Sequence, residues 1–126
     1  MEYEQPRSIS RGELEKAFRG NDGERIREAL ISASYSEDAS WLVDLCLKLA
    51  GDERSVVRQG VALVLGHIAI DHLGEEDLKR CLEAAERLTG DPDEATRMAA
   101  LDSVDDVLHA IRLQSTGKVD LGGRGK

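Results

Sequence analysis

Apolar residues recur at every third or fourth position along almost the whole chain, which is the spacing of an amphipathic helix. Ile26, Leu30 and Ala33 illustrate the pattern, because they share one face of a helix. Short clusters of glycine, aspartate and proline interrupt it at intervals. The sequence therefore predicts an all-α fold with six helices, near residues 11–19, 24–34, 36–50, 53–70, 75–88 and 92–114.

Local signals indicate where the first helix begins and where the core lies. Ser10 followed by Glu13 is typical of a capping box, in which each side chain bonds the backbone amide of the other residue. The stretch from Val61 to Ile70 is apolar nearly all round, so we expect it to be buried, together with Trp41. The expected core side of the last helix comprises Ala100, Leu101, Val104, Val107, Leu108 and Ile111.

The length of 126 residues fits a single domain. Beyond Gln114 the apolar stripe ends, and residues 115–126 contain four glycines. We therefore predict an N-terminal extension over residues 1–9, one helical domain over 10–114 and a disordered glycine-rich tail over 115–126.

The chain also resembles itself after a shift of 39 residues. The dipeptide at 51–52 then falls on the identical Gly-Asp at 90–91, and Arg58 falls on Arg97. Apolar positions such as Leu65 and Val104 coincide as well. A period near 40 residues with two helices in each unit favours an α-solenoid.

Two segments that coincide under the 39-residue shift carry a further pattern. Residues 52–58 read DERSVVR and are followed by Ala62, Leu65 and Gly66, while residues 91–97 read DPDEATR. Both are similar to the start of the second helix of a HEAT repeat. The resemblance implies a short HEAT-like α-solenoid of three helical hairpins. It further implies a structural ladder between repeats, in which Arg58 and Arg97 pair with Asp52 and Asp91. A ligand-binding arginine is the alternative interpretation.

A second resemblance concerns Trp41, the Cys46-Leu47 pair, Val57-Arg58 and the LGHIA segment at 65–69. This pattern is similar to small bacterial HEAT-like proteins that act as immunity proteins in polymorphic toxin or contact-dependent inhibition systems. The resemblance implies a cytoplasmic, non-catalytic binding protein that neutralises a toxin domain, for which a nuclease is the expected type. The alternatives are a HEAT-like scaffold or adaptor without a toxin partner and, as an enzyme, a HEAT-like DNA glycosylase or bilin lyase.

The charge of the chain narrows the choice of partner. Its 25 acidic and 17 basic residues give a net charge of −8, whereas nucleic acid requires a basic surface. This balance disfavours a glycosylase and favours a basic protein partner. We expect a monomer or weak dimer. The longest apolar run, at 61–65, is far too short to span a bilayer, and the N-terminus does not resemble a secretion signal.

Acidic residues are concentrated in the C-terminal half. Residues 71–106 contain twelve acids and four bases, a balance of −8. Asp102, Asp105 and Asp106 share one face of the last predicted helix, where like charges repel one another. We expect these three aspartates to lack local partners. We expect the same of a second group of acids at the start of the fifth predicted helix. The predicted partner-binding residues are Asp102, Asp105, Asp106, Glu75, Glu76 and Asp77.

Candidate chemistry is sparse. Cys46 and Cys81 lie within helical patterns and are expected to be buried thiols rather than a disulfide or metal site. His67, Asp71 and His72 are close in sequence but lack a further metal ligand nearby, so a hydrogen-bonded core histidine is favoured. Paired carboxylates could perform acid–base chemistry, but no nucleophile motif, phosphate loop or zinc spacing is present. We predict no catalytic residue, metal or cofactor.

Overall fold

A computed structural model describes residues 10–35, 38–70 and 73–124, with the side chains of 117–124 excluded. Predictions for the extension at 1–9, for residues 36–37, for Asp71 and His72 and for 125–126 lie outside the described residues. The described part contains helices and no strand, which confirms the all-α prediction. The helices are α1 (Arg11–Phe18), α2 (Gly23–Ala33), α3 (Ala39–Leu49), α4 (Ser55–Ala69), α5 (Glu75–Leu88) and α6 (Glu94–Arg124).

Side-chain caps determine where the first three helices begin. Ser10 Oγ accepts the amide of Glu13 at 3.2 Å, and the Ser10 amide donates to the Glu13 carboxylate at 3.1 Å, so the predicted capping box is confirmed. Asp22 accepts the amides of Glu24 and Arg25 in the first turn of α2. Asp38 accepts the amide of Trp41 in the first turn of α3. Each cap satisfies an amide that has no partner within its helix.

Successive helices pack in pairs: α1 with α2, α3 with α4, and α5 with α6. Between the pairs, α4 packs on α2 and on α6, while α3 packs on α5. Stacked helical hairpins have this order of contacts, in which each unit buries its apolar face against the next. The HEAT-like character of the stack stays a prediction.

The core is centred on α4, where Val61, Ala62 and Leu65 are fully buried. Most of the 61–70 stretch is buried as expected. The exceptions are His67, which is half-buried, and Leu63 and Ile70, with exposed fractions of 43% and 67%.

Trp41 is half-buried rather than buried, because α1 covers one side of its ring. The guanidinium carbon of Arg11 lies 4.4 Å from the centroid of the Trp41 ring. This is the geometry of a cation–π contact, which keeps one face of the indole away from water.

The core side of α6 agrees with the expected one at Ala100 and Val107, which are fully buried, but differs from it elsewhere. Leu101 is 50% exposed, whereas Thr96, Ala99 and Ser103 are buried. The hydrophobic pattern is misleading here because small side chains face α4, and these allow the two helix backbones to approach closely.

The predicted end of α6 was also wrong. The prediction places it at Gln114, whereas the helix extends to Arg124. The division of the chain into a domain over 10–114 and a tail over 115–126 stays a prediction. No proline follows Pro92, and glycine lowers helix propensity by about 1 kcal/mol without forbidding the helical conformation. A pattern of glycines therefore did not suffice to terminate the helix.

Cys46 and Cys81 are both free thiols and both buried, as expected. Burial raises the pKa of the Cys81 thiol to about 12, and burial likewise raises the pKa of the Cys46 thiol well above its usual range. Since the thiolate is the nucleophile and the metal ligand, both cysteines are chemically inert packing residues.

Candidate protein-binding surface

The three predicted acids of α6 lie on the surface. Asp102, Asp105 and Asp106 are all exposed, and no hydrogen bond or ion pair joins them to another described residue. Their carboxylates repel one another across about one helical turn. The helix thus presents uncompensated negative charge to solvent.

Asp106 lies at the junction of α6 with α4. A Cβ atom placed on Gly66 of α4 would be 3.0 Å from Asp106 Oδ2, so the carboxylate lies close to the α4 backbone. Asp102 is one turn earlier on the same side of α6, because residues four apart are neighbours on a helix surface. Asp105 directly precedes Asp106, so it is rotated from Asp106 by about 100° around the helix axis. Its side chain therefore points away from α4.

The acids at the start of α5 are in a different situation. Asp77 is half-buried, accepts a hydrogen bond from Ser40 at 2.8 Å and pairs with Arg80 at 3.0 Å. Arg80 continues the network to Asp44 of α3 at 2.7 Å. Glu75 lies 3.9 Å from Lys79.

The expectation that these acids lack local partners is therefore wrong for Asp77 and Glu75. Asp77 joins α3 to α5, so its carboxylate already serves the packing of the two helices. Glu76 is exposed and remains a candidate for partner contact.

Arg58 and Asp91 connect two repeats. The guanidinium donates from Nε and Nη2 to the two carboxylate oxygens at 2.7 and 3.0 Å, and Asp91 is 8% exposed. The hydrogen bonds from Arg58 hold the pKa of the Asp91 carboxyl below its usual range. Such a two-pronged pair fixes orientation as well as distance. The contacts agree with a structural role for Arg58 rather than a ligand-binding one.

The 39-residue repeat is visible in the arginine contacts. Arg58 Nη1 donates to the carbonyls of Asp52 and Glu53 at 2.9 and 3.0 Å. Arg97 Nη1 donates to the carbonyls of Asp91 and Pro92 at 3.0 and 3.1 Å. Each arginine side chain therefore donates two hydrogen bonds to the turn that precedes its own helix.

Asp52 differs from the expected ladder in one respect. Its carboxylate pairs with Arg54 at 2.9 Å, while only its backbone carbonyl contacts Arg58. The hydrogen bond from the Arg54 side chain lowers the pKa of the Asp52 carboxyl. The inter-repeat carboxylate pair is thus between Arg58 and Asp91, and Arg97 contributes through carbonyls.

His67 is a packed histidine of the α2–α4 interface. Its Nδ1 lies 2.9 Å from Ser34 Oγ, and its ring meets that of Tyr35 edge-on at 4.5 Å between centroids. Within the described ranges, no group of three or more His, Cys, Asp or Glu side chains could hold a metal ion.

One apolar feature of the surface was missed by the sequence reasoning. A groove of about 360 Å³ lies where the end of α4, the start of α5 and α6 meet, and Ile70, Leu73, Leu78 and Leu113 contribute to its lining. Ile70 and Leu113 are 67% and 56% exposed. Leu113 lies outside the apolar stripe predicted for the last helix, which could have indicated its exposure, whereas the sequence predicts burial for Ile70.

None of the helices in the described part is long and apolar enough to cross a membrane. No family model matches the chain, and no curated protein matches it. Among solved structures, the fold is similar to a chain in the crystal structure of a CDI complex, that is, a contact-dependent inhibition complex, from Cupriavidus taiwanensis LMG 19424. The TM-score is 0.68 and the sequence identity 27%, and the match covers 85% of this chain and 95% of that chain.

Proposed function

We propose that this chain is an immunity protein of a contact-dependent inhibition system, and that it neutralises a basic toxin domain by binding it. The observation that carries the proposal is the similarity to a chain of a CDI complex over nearly the full length of both chains. The sequence resemblance to small bacterial immunity proteins points to the same role. An immunity protein of this kind works in the cytoplasm of the cell that it protects.

The exposed acids of α6 support a basic partner. A cationic side chain that approaches Asp102, Asp105 and Asp106 relieves the mutual repulsion of these carboxylates. Complementary charge raises the association rate and disfavours acidic partners. A nuclease is the expected class of toxin, because an enzyme that binds phosphates presents a basic surface around its active site.

Binding alone is sufficient for this function. The acids of α6 lie exposed on the surface, and the buried thiols of Cys46 and Cys81 are held in their unreactive form. A glycosylase would need a basic groove for its nucleic acid, whereas the C-terminal half of this chain is acidic. We therefore propose occlusion of the toxin's active site as the mechanism.

The proposal is tested with the C-terminal domain of the exported protein encoded beside this gene. That domain is produced in a host with and without the present chain, and survival is measured. We expect the chain to restore growth and the purified proteins to form a complex. Growth arrest that the chain does not relieve, or a genomic neighbourhood without such a protein, would contradict an immunity function.

A second measurement tests the acidic surface. Surface plasmon resonance measures the association of the toxin domain with the wild type and with the D102N/D105N/D106N variant at two salt concentrations. We expect slower association of the variant at low salt, and a wild-type association rate that falls as salt rises, since exposed charges are screened over roughly 8–10 Å at physiological ionic strength. Unchanged kinetics would show that the acids of α6 are a solvated surface only.

A further inference from the structure

Apolar side chains are exposed next to the acids of α6. Ile70 at the end of α4 and Leu113 on α6 line opposite sides of the groove of about 360 Å³, with most of each side chain's surface in contact with solvent. Leu73 and Leu78 close the groove from below and are 4% and 2% exposed. The groove is therefore an apolar depression with two accessible rims, of a size suited to one or two side chains of a partner.

The groove continues the line of acids that runs beside α4. Asp102 and Asp106 are one turn apart, and Leu113 lies eleven residues after Asp102, which is close to three full turns of an α-helix. The three residues thus lie along one strip of α6. The proximity of Asp106 Oδ2 to Gly66 places that strip against α4, on which Ile70 lies one turn beyond Gly66. Asp105 and Leu101 lie outside it.

Resting on the proposed function, we propose that the toxin domain docks on this strip, which we name the α4–α6 seam and define by Ile70, Leu113, Asp102 and Asp106. The toxin inserts an apolar side chain between Ile70 and Leu113 and places lysine or arginine side chains against the two aspartates. An apolar anchor in a pocket beside a charged rim is the arrangement in which a few residues supply most of the binding free energy.

Charge identifies a basic domain rather than a second copy of this chain as the occupant. The chain carries a net charge of −8, and most of that charge lies in the half that contains the seam. A second copy would bring like charge against Asp102 and Asp106, which are exposed and unpaired among the described residues. A basic domain neutralises both carboxylates as it fills the groove.

The test compares apolar residues of similar exposure that lie inside and outside the seam. I70S and L113S remove side chains of the seam, while L101S removes a side chain of α6 that is 50% exposed and lies outside it. Calorimetric titration with the toxin domain described above measures the dissociation constant of each variant. We expect I70S and L113S to weaken binding about tenfold or more and L101S to change it by less than about twofold. Circular dichroism checks that all three variants remain folded.

The possible outcomes separate this inference from the proposed function. If the wild type binds the toxin domain but I70S and L113S bind it as tightly, the seam is not the docking site and the immunity function still stands. If the wild type does not bind the toxin domain, the proposed function fails and this inference fails with it. Sedimentation of the free chain completes the test: a dimer that I70S or L113S dissociates would assign the groove to a second copy and overturn the inference.

Discussion

Gly66 of α4 and Ser103 of α6 are in direct contact at the crossing of the two helices. The Gly66 amide lies 3.0 Å from Ser103 Oγ, and the Ser103 hydroxyl donates to the carbonyl of Ala62 one turn earlier. A Cβ atom on Gly66 would be 2.6 Å from Ser103 Oγ and 3.0 Å from Ser103 Cα. Because the second of these is a backbone atom, a rotation of the serine side chain cannot make room. The absence of a side chain at position 66 therefore determines how closely α6 packs on α4.

This contact predicts an unusual response to alanine. Glycine to alanine inside a helix normally stabilises a protein by up to about 1 kcal/mol, but G66A is expected to lower the free energy of unfolding by about 1–3 kcal/mol through overpacking. G12A in α1 is the matched control, since a Cβ there would meet only Ser10 Oγ, at an ordinary contact distance of 3.9 Å, and the backbone is not left-handed. Thermal denaturation of both variants measures the effect, and a stabilised G66A would contradict the close contact.

Burial on α4 alternates sharply between neighbouring leucines. Leu65 is fully buried, whereas Leu63 is 43% exposed. L65D places an unpaired carboxylate in the core at a cost of several kcal/mol, against a total stability of about 5–15 kcal/mol, and should unfold the protein. L63D should remain folded because its carboxylate reaches water. Circular dichroism distinguishes the two, and a stable, helical L65D variant would disprove the placement of α4 at the centre.

The pair of Arg58 and Asp91 makes stability dependent on pH. The pKa of Asp91 is lower in the folded state than in the unfolded state, chiefly because of the hydrogen bonds from Arg58, so folding favours the ionised carboxylate. The stabilisation is complete above the unfolded-state pKa of about 3.9 and is lost as the pH falls through the folded-state value.

D91N tests this dependence, because the amide keeps the size of the carboxyl and cannot ionise. At pH 7 the variant should be less stable by about 2–4 kcal/mol, since it leaves a half-buried arginine without its carboxylate partner. The difference between wild type and D91N, measured by urea unfolding, should shrink as the pH falls below about 4. A difference that is constant from pH 7 to pH 3 would mean that the charge of Asp91 contributes nothing.

The end of α6 provides a test by truncation. Gln114 Nε2 donates to the carbonyl of Leu73 at 2.9 Å, and the next two residues are exposed. A chain that ends at Gln114 should melt within about two degrees of the full chain, since it loses less than about 0.5 kcal/mol. A chain that ends at His109 also loses the half-buried Ala110 and Ile111 and should melt clearly lower. A large drop on removal of residues 115–126 alone would show that the tail packs on the domain.

The sequence predicted the features that depend on local spacing. Helical periodicity located six helices, and the 39-residue shift led to Arg58 and Arg97, which do contact equivalent turns. The rotation of α6 was not predictable in this way. Leu101 looks like a core residue by hydrophobicity, but close packing of Ser103 on Gly66 turns the small residues inward. Which acids already have partners also depends on neighbouring helices, as Asp77 shows by its bonds to Ser40 and Arg80.

The orientation of the α6 acids leads to a prediction on binding. Asp106 lies against α4 within the proposed seam, whereas Asp105 is adjacent in sequence, also exposed and turned away. Asparagine at either position removes one charge and nearly preserves shape, so both variants change the overall field of the chain to the same extent. Any difference between them must therefore come from direct contact.

We expect D105N to reduce only the association rate with the toxin domain, by less than about threefold at low salt, because steering depends on total charge. D106N should reduce the association rate similarly and also raise the dissociation rate, by about threefold or more, since a desolvated charge pair is lost. Stopped-flow kinetics at low and physiological salt separate the two rates. Equal dissociation rates for D105N and D106N would show that α6 attracts the partner without touching it.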